Sequence, residues 1–405
     1  MSNQPDYDIV IVGAGITGLT LACHLIDKGL RIAILDKSSS TNSPVFELLD
    51  LRVSAITKGS QQIFEKCQVW DKLAKANLSP FERMEVWEQK SASRLFFDAA
   101  ETNQAYLGTI VKNYDLQTAL VSQAKTAKEL DWFCPESLKS IQNHTTHCSL
   151  IFTSGVSITT GLLVGADGIH STVRQLAEIQ NKEYDYQQEA IIATVHTEKK
   201  HEQTARQIFL PTGPLAFLPL ANPHHCSIVW STTPEAVERL KALSNELFCS
   251  ELANAFEHHL GKIESTSMRL SFPLKAQQCE QYVKPGIVLI GDAAHSIHPL
   301  AGQGANLGIA DAVCLAAVIL EAKRKQRTIG ALHTLRYYER ERRFHHRLMG
   351  GGIDFIKQVF TTKNPFFTNA RHFGLGLIEK APWLKHYFMQ YAMGNPSVDP
   401  LKSTF

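Results

Sequence analysis

An apolar run, Tyr7-Asp8-Ile9-Val10-Ile11-Val12, leads straight into Gly13-x-Gly15-x-x-Gly18. Leu19, Leu21, Ala22, Leu25 and Ile26 then recur at helical spacing, Gly29 closes the stretch, and residues 31–36 form a second β-branched run ending in Asp36. In this strand–turn–helix–strand context the three glycines acquire a physical meaning. Gly13 permits the tight turn, Gly15 lets the backbone approach a diphosphate, and Gly18 lets the helix pack on the strand. The helix N-terminus offers N–H groups to the diphosphate, and Asp36 stands where a carboxylate accepts from ribose hydroxyls. The unit predicts a parallel sheet and a bound dinucleotide, without separating one dinucleotide from another.

A second Gly-rich segment lies far downstream. Ile287-Val288-Leu289-Ile290 reads as a buried strand. It delivers Gly291-Asp292-Ala293-Ala294-His295-Ser296-Ile297-His298-Pro299-Leu300-Ala301-Gly302-Gln303-Gly304-Ala305-Asn306, and a helix is expected over about 305–322. Two phosphate-cradling turns at opposite ends of one chain imply an elongated cofactor spanned by both, and FAD fits. Another apolar strand runs into Gly165-Ala166-Asp167-Gly168-x-x-Ser171-x-x-Arg174. An Asp-Gly turn is common on its own; beside the other two segments it reads as part of the same site.

Together with Leu51-Arg52-Val53-Ser54-Ala55-Ile56, Gly213-Pro214-Leu215-Ala216-Phe217-Leu218-Pro219-Leu220 and Tyr391-Ala392-Met393-Gly394, these segments carry a resemblance over nearly the whole chain. The sequence resembles the class A flavin monooxygenases with the parahydroxybenzoate-hydroxylase fold, and among them the ubiquinone-biosynthesis hydroxylases. The resemblance implies that Arg52 reaches the FAD diphosphate or flavin edge, and that Asp167 and Gly168 approach the diphosphate. It implies that Asp292 binds the ribityl chain and that Gly302 and the backbone of Gly304, Ala305 and Asn306 lie along the flavin. Pro299 would stand beside the reactive face. Many relatives carry an Arg in the segment matching residues 113–117; this chain has Tyr114 there, which leaves Gln117 as the polar contact. Phe217 and Pro219 are the expected substrate contacts.

The resemblance also implies an α/β fold. A Rossmann-like FAD-binding domain would be assembled from residues 1–75, 106–178 and 280–345. An inserted, mostly antiparallel β-sheet domain for the substrate would take residues 76–105 and 179–279, and a C-terminal helical region residues 346–405. The expected reaction is NAD(P)H- and O2-dependent hydroxylation of a polyprenylated phenol through a flavin C4a-hydroperoxide. NAD(P)H would bind transiently, since the chain has one Rossmann fingerprint. The flavin carries the hard chemistry, and the protein supplies orientation, dryness and electrostatics. His298 is the nearest candidate to take the phenol proton, with a structural role at a tight turn as the other reading; His295 reads as structural. The alternatives are another FAD oxidoreductase (an epoxidase, a prenyl reductase or a soluble aromatic hydroxylase) and a flavin-bound scaffold of low turnover. NAD(P)H consumption that requires both a phenol and O2 separates these.

The net charge of +2 argues against a nucleic-acid protein. Eight scattered cysteines, none in a Cys-x-x-Cys pair, predict no metal site and reduced thiols in a cytoplasmic setting. No basic leader precedes Tyr7, and no run of roughly 18 apolar residues is expected to span a membrane. Lys323, Arg324, Lys325, Arg327, Arg336, Arg340, Arg342, Arg343 and Arg347 read as a solvated helix face or as a surface for anionic lipid. Phe366, Ala370, Phe373 and Leu377 share a helix face, and Trp383, Tyr387 and Tyr391 repeat at four. They cover the core or meet a membrane or prenyl tail, so peripheral association at the inner face of the membrane, or with a quinone-biosynthesis complex, is the partner expectation.

Overall fold

The computed structural model describes residues 4–38, 51–91, 94–296 and 304–361, the last fourteen of these by backbone alone. His298, Pro299, Gly302 and the aromatic repeats beyond residue 361 lie outside the described residues.

Tyr7–Val12 sits at the centre of the first sheet because both of its faces are covered. It pairs in parallel with Ser157–Gly165 on one side and Ile32–Leu35 on the other, so that Ile11 lies opposite Val164 and Ile34. Those three residues are fully buried, and continuous apolar runs are what a two-sided parallel sheet demands. The order continues outward to Ile287–Leu289 and Val283–Lys284 at one edge and to Leu130–Phe133 at the other. Helix Ile16–Leu25 crosses from the first strand to the second and packs on Gly304–Arg324 and Asn113–Ala124.

The second sheet has nine strands. Its path is His295–Ser296, Leu270–Cys279, Asn181–Thr197, His225–Thr232, Gly213–Pro219, Thr204–Leu210, Arg83–Glu88 and Arg94–Asp98, with Ile263–Thr266 beside Asn181–Thr197. All these pairings are antiparallel except that of Thr204–Leu210 with Arg83–Glu88. Strand period sorts its residues onto two faces. Ile208, Leu215, Trp230 and Ile191 lie side by side on one face and join a core with Val237, Leu240, Phe248 and Phe256, from helices Pro234–Ala242 and Asn245–Ala255 and the residue that ends the latter. Gln207, Ala216, Val229, Ile192 and Leu270 form the corresponding row on the other face, which looks toward the first sheet across a cleft. A three-stranded sheet of Val53–Thr57, Gly108–Lys112 and Ser79–Phe81 closes the side of the cleft. Its Ala55, Phe81 and Ile110 pack with Ala205 and Leu218 of the large sheet.

Two expectations change. Helix Gly304–Arg324 is long and apolar enough to cross a membrane, contrary to the expected absence of such a run. It is a core helix instead: Asp311 at its middle is fully buried and ion-paired, and Leu315 and Ile319 are buried against the first sheet's core. Arg342, expected on a solvated face, is 5% exposed and is the partner of that aspartate. Helix Leu332–Thr361 therefore turns one stripe (Leu335, Tyr338, Arg342 and His346) inward and another (Arg336, Tyr337, Arg340, Phe344 and Arg347) outward.

Candidate active site

The cleft has a volume of about 1160 Å³. At its base the three glycines of the first turn divide the work. A Cβ on Gly13, whose φ is +112°, would stand 2.3 Å from the carbonyl oxygen of Ala166, and one on Gly18 would stand 2.1 Å from that of Gly13. Among the described residues, a Cβ on Gly15 would meet nothing within 4 Å. The open space beside Gly15 thus belongs to the cleft, and the first N–H groups of helix Ile16–Leu25 have no intrahelical partners. Ala14 is clamped from both sides: its N–H donates to Asp36 Oδ2 at 2.7 Å, and its carbonyl accepts from Gln117 Nε2 at 2.8 Å. Asp36 Oδ1 also accepts from the N–H of Ser38 at 2.8 Å. Asp36 and Gln117 therefore shape the turn that a diphosphate would meet.

The second turn faces the first. Gly304 and Ala305 line the cleft at the start of helix Gly304–Arg324, so two helix N-termini converge on it. An open cradle between positive helix ends suits the negative diphosphate of FAD. Asp292 and Arg52 line the same end of the cavity. Asp292 is exposed, and that exposure is to the cleft. Burial around it pushes its carboxyl up, while His295 and Arg52 pull it back down. The Arg52 guanidinium lies over the Phe272 ring, 5.5 Å from its centroid, where the base of the cleft meets the roof sheet.

The remaining predicted residues divide. Gly168 lines the cleft and Asp167 does not: Asp167 Oδ2 accepts from the N–H groups of Thr172 and Val173 at 2.7 and 3.2 Å, and its Oδ1 is buried without a partner among the described residues. Burial raises the Asp167 carboxyl against those bonds. Asn306 is buried away from the cavity and ties helix Gly304–Arg324 to the small sheet. Its Nδ2 donates to the Ala55 carbonyl at 2.8 Å and its Oδ1 accepts from the Thr57 N–H at 3.1 Å. Phe217 and Pro219 fall on the wrong face of their strand. Phe217 is 1% exposed and stacks on Phe256 at 3.9 Å, and Pro219 shares its parity. Pro214, Ala216 and Leu218, one residue out of step, face the cleft.

A buried charge network beneath Asp292 was not visible in the sequence. Asp311 accepts four donors: the Gly291 N–H at 2.9 Å and His295 Nε2 at 2.6 Å on one oxygen, Arg342 Nε at 2.6 Å and His346 Nε2 at 2.9 Å on the other. The Tyr282 hydroxyl and His346 Nδ1 lie 3.1 Å apart, within hydrogen-bond distance. Burial would raise the Asp311 carboxyl, but His346, His295 and Arg342 outweigh it and hold it well below the usual range. Burial pushes His346 down to about 3. Among the described residues, His295, Asp311 and His346 are also the group whose ligand atoms lie close enough to hold a metal, within 4.8 Å of one another. Arg342 already supplies the cation there, so the arrangement is a satisfied ion-pair network. Asp311, the one acid in the stretch 304–320, was the available signal, since a buried acid needs a partner.

The FAD binding domain family matches residues 6–349. The chain is 33% identical to a 3-demethoxyubiquinol 3-hydroxylase of Escherichia coli (strain K12), over 97% of this chain and 100% of that protein. It is 33% identical to the ubiquinone hydroxylase UbiL of Rhodospirillum rubrum, over 97% and 91%, and 31% identical to the mitochondrial ubiquinone biosynthesis monooxygenase COQ6 of Danio rerio, over 95% and 89%. The p-nitrophenol 4-monooxygenase PnpA from Pseudomonas putida DLL-E4 shares the fold, with a TM-score of 0.76 at 16% identity over 96% of this chain and 98% of that one. With two converging helix N-termini, an open diphosphate cradle and full-length relatives of this kind, the chain belongs to the FAD-dependent hydroxylases of ubiquinone biosynthesis.

Proposed function

We propose that this enzyme hydroxylates the ring of a polyprenylated phenol. The observation that carries the reading is the roof of the cleft. Its rows of Ala205, Pro214, Ala216, Leu218, Val229 and Ile192 are small and aliphatic, and line the cleft above the cofactor cradle. An isoprenoid tail suits such a surface, at about 0.8 kcal/mol per buried CH2. The relative from Escherichia coli, named as acting on a 3-demethoxyubiquinol, supports this choice.

FAD, when bound and reduced by NAD(P)H, supplies an electrophilic oxygen from O2 to the ring, the second oxygen leaving as water. The chain does the rest. Gly15 and the two helix N-termini hold the diphosphate, and Asp292 accepts from ribityl hydroxyls. Arg52 lies at the boundary between cofactor and substrate. The roof excludes water from the reacting ring, and the hydroxyls of Ser227 and Ser231, which line it, offer hydrogen bonds to the phenol. His298 remains our candidate for taking the phenol proton and Pro299 for packing beside the reactive face. The test is oxygen- and phenol-dependent NAD(P)H oxidation, with mass spectrometry of the product. A prenylated phenol should turn over with a far lower KM than tail-less hydroxybenzoate, and equal efficiency would overturn the assignment of substrate.

A substrate of this kind resides in lipid, and we place the enzyme at the inner face of a membrane. Tyr337 and Phe344 are 53% and 61% exposed on the outer stripe of helix Leu332–Thr361, among Arg336, Arg340 and Arg347. Aromatic and basic residues on one helix face suit an anionic interface. Flotation with anionic but not neutral liposomes tests this, and equal recovery with both would refute the charge argument.

A further inference from the structure

The Asp311 network encloses the turn that carries Asp292. A carboxylate offers about four lone-pair sites, and Asp311 fills them with donors from two parts of the chain. Two of these, the Gly291 N–H and the His295 ring, bracket Asp292 in sequence. The other two, Arg342 and His346, come from helix Leu332–Thr361 and fix Asp311 itself. The rest of the turn is held as well. Gln277 Nε2 donates to the Asp292 carbonyl at 2.6 Å, Arg174 Nη1 to the Ala293 carbonyl at 3.1 Å, and the Ala294 N–H to the Gly291 carbonyl at 2.9 Å. His295 reaches both environments: it lines the cleft and donates to Asp311 on the buried side.

A buried ion pair contributes little to stability compared with apolar residues of the same volume, and its best-attested use is to fix one arrangement among several. Here the arrangement fixed is the backbone of residues 291–295. We infer that Asp311 is a positioning residue for Asp292, held in place by Arg342 and His346, and that the cofactor turn is thereby set by the last described helix. The inference rests on the reading that Asp292 accepts from the ribityl chain.

The test uses the full chain with Asp311→Asn, which keeps shape and removes charge. Asp292→Ala is the reference for the direct contact, and Ile319→Ala on the same helix, fully buried but away from the turn, controls for lost stability. Three quantities are read: FAD dissociation constant, visible circular dichroism of the bound flavin, and the melting temperature of the apoprotein. Asp311→Asn should weaken FAD by roughly tenfold or more, the scale of a lost charged hydrogen bond, and alter the flavin dichroism. Ile319→Ala should lower the melting temperature and leave the other two readings unchanged. If Asp311→Asn does not fold, Arg342→Lys retains the charge and loses the fork geometry, and is read in the same way. Wild-type affinity in Asp292→Ala overturns the placement of Asp292 and the proposal with it. Weakened binding in Asp292→Ala with wild-type affinity and dichroism in the network variant overturns the positioning role alone.

Discussion

The three glycines of the first turn should separate folding from cofactor binding when each is given a side chain. In Gly13→Ala the new methyl falls 2.3 Å from the Ala166 carbonyl oxygen at a φ of +112°. The backbone conformation costs about 1–2 kcal/mol and the overpacking about 1–3 kcal/mol more. The sum is a large part of the roughly 5–15 kcal/mol by which a folded protein is ordinarily stable. Gly18→Ala meets the Gly13 carbonyl oxygen at 2.1 Å and should lose a comparable amount by overpacking alone. Gly15 is different. Its φ of −78° and ψ of 178° suit any residue, and a Cβ there touches none of the described residues. The fold should accept Gly15→Val at a cost of about 0.5–1 kcal/mol, the scale of a weakened N-cap. The side chain then fills the space of the diphosphate. Losing two charged hydrogen bonds at about 1.5–3 kcal/mol each weakens FAD by roughly a hundredfold to ten-thousandfold. Apoprotein melting curves and FAD titration by flavin fluorescence read the two effects separately. A Gly15→Val protein that binds FAD like wild type would show that the diphosphate lies elsewhere. An unchanged melting temperature in Gly13→Ala would refute the steric argument.

Three further outcomes follow from the same geometry. Phe217→Ala should cost about 3–5 kcal/mol of stability and leave the KM for phenol unchanged, whereas Ala216→Phe should raise KM and spare the melting temperature; the reverse pattern would mean that the two faces of the strand are misassigned. His346 is held neutral in the fold by a shift down to about 3, while the unfolded chain takes up that proton near pH 6.5. The unfolded state therefore binds more protons between about pH 6.5 and 3, and this residue's contribution makes stability fall as pH falls through that window. Melting temperatures from pH 7 to 5 should drop less in His346→Gln than in wild type, and an equal drop would remove His346 from the account. FAD should leave with the supernatant when the protein is denatured, and colour retained by the precipitate would contradict non-covalent binding.

Much of the cofactor end was legible because its signals are local. Gly13 to Gly18 and Asp36 lie within one supersecondary unit, and strand, turn and helix each follow from consecutive residues. The roof was legible as strands, but not as to which face is which. Alternation along residues 213–220 says that Ala216 and Phe217 point opposite ways, and a large aromatic was taken for a substrate contact when it belonged to the core beneath the helices. The Asp311 network was invisible for another reason. Tyr282, His295, Asp311, Arg342 and His346 are brought together by helix packing, and Arg342 stands in a run of cations most of which face outward. Asp167 and Asn306 were found by motif, and their side chains fasten neighbouring backbone while cleft contact falls to Gly168 and Ala305.

The short strand His295–Ser296 pairs with Leu270–Cys279, placing His295 opposite Gln278 and Ser296 opposite Gln277. The edge of the roof is thus the same stretch of chain that leaves the cofactor turn. For anyone exchanging roofs between members of this family to change what is hydroxylated, residues 181–279 are not a free cassette. A graft ending at residue 279 cuts between the two partners of that ladder and severs the bond from Gln277 to the Asp292 carbonyl. A splice carried through to residue 296, so that both strands come from one parent, keeps the ladder intact. Chimeras made at the two sites should differ in whether they emerge yellow.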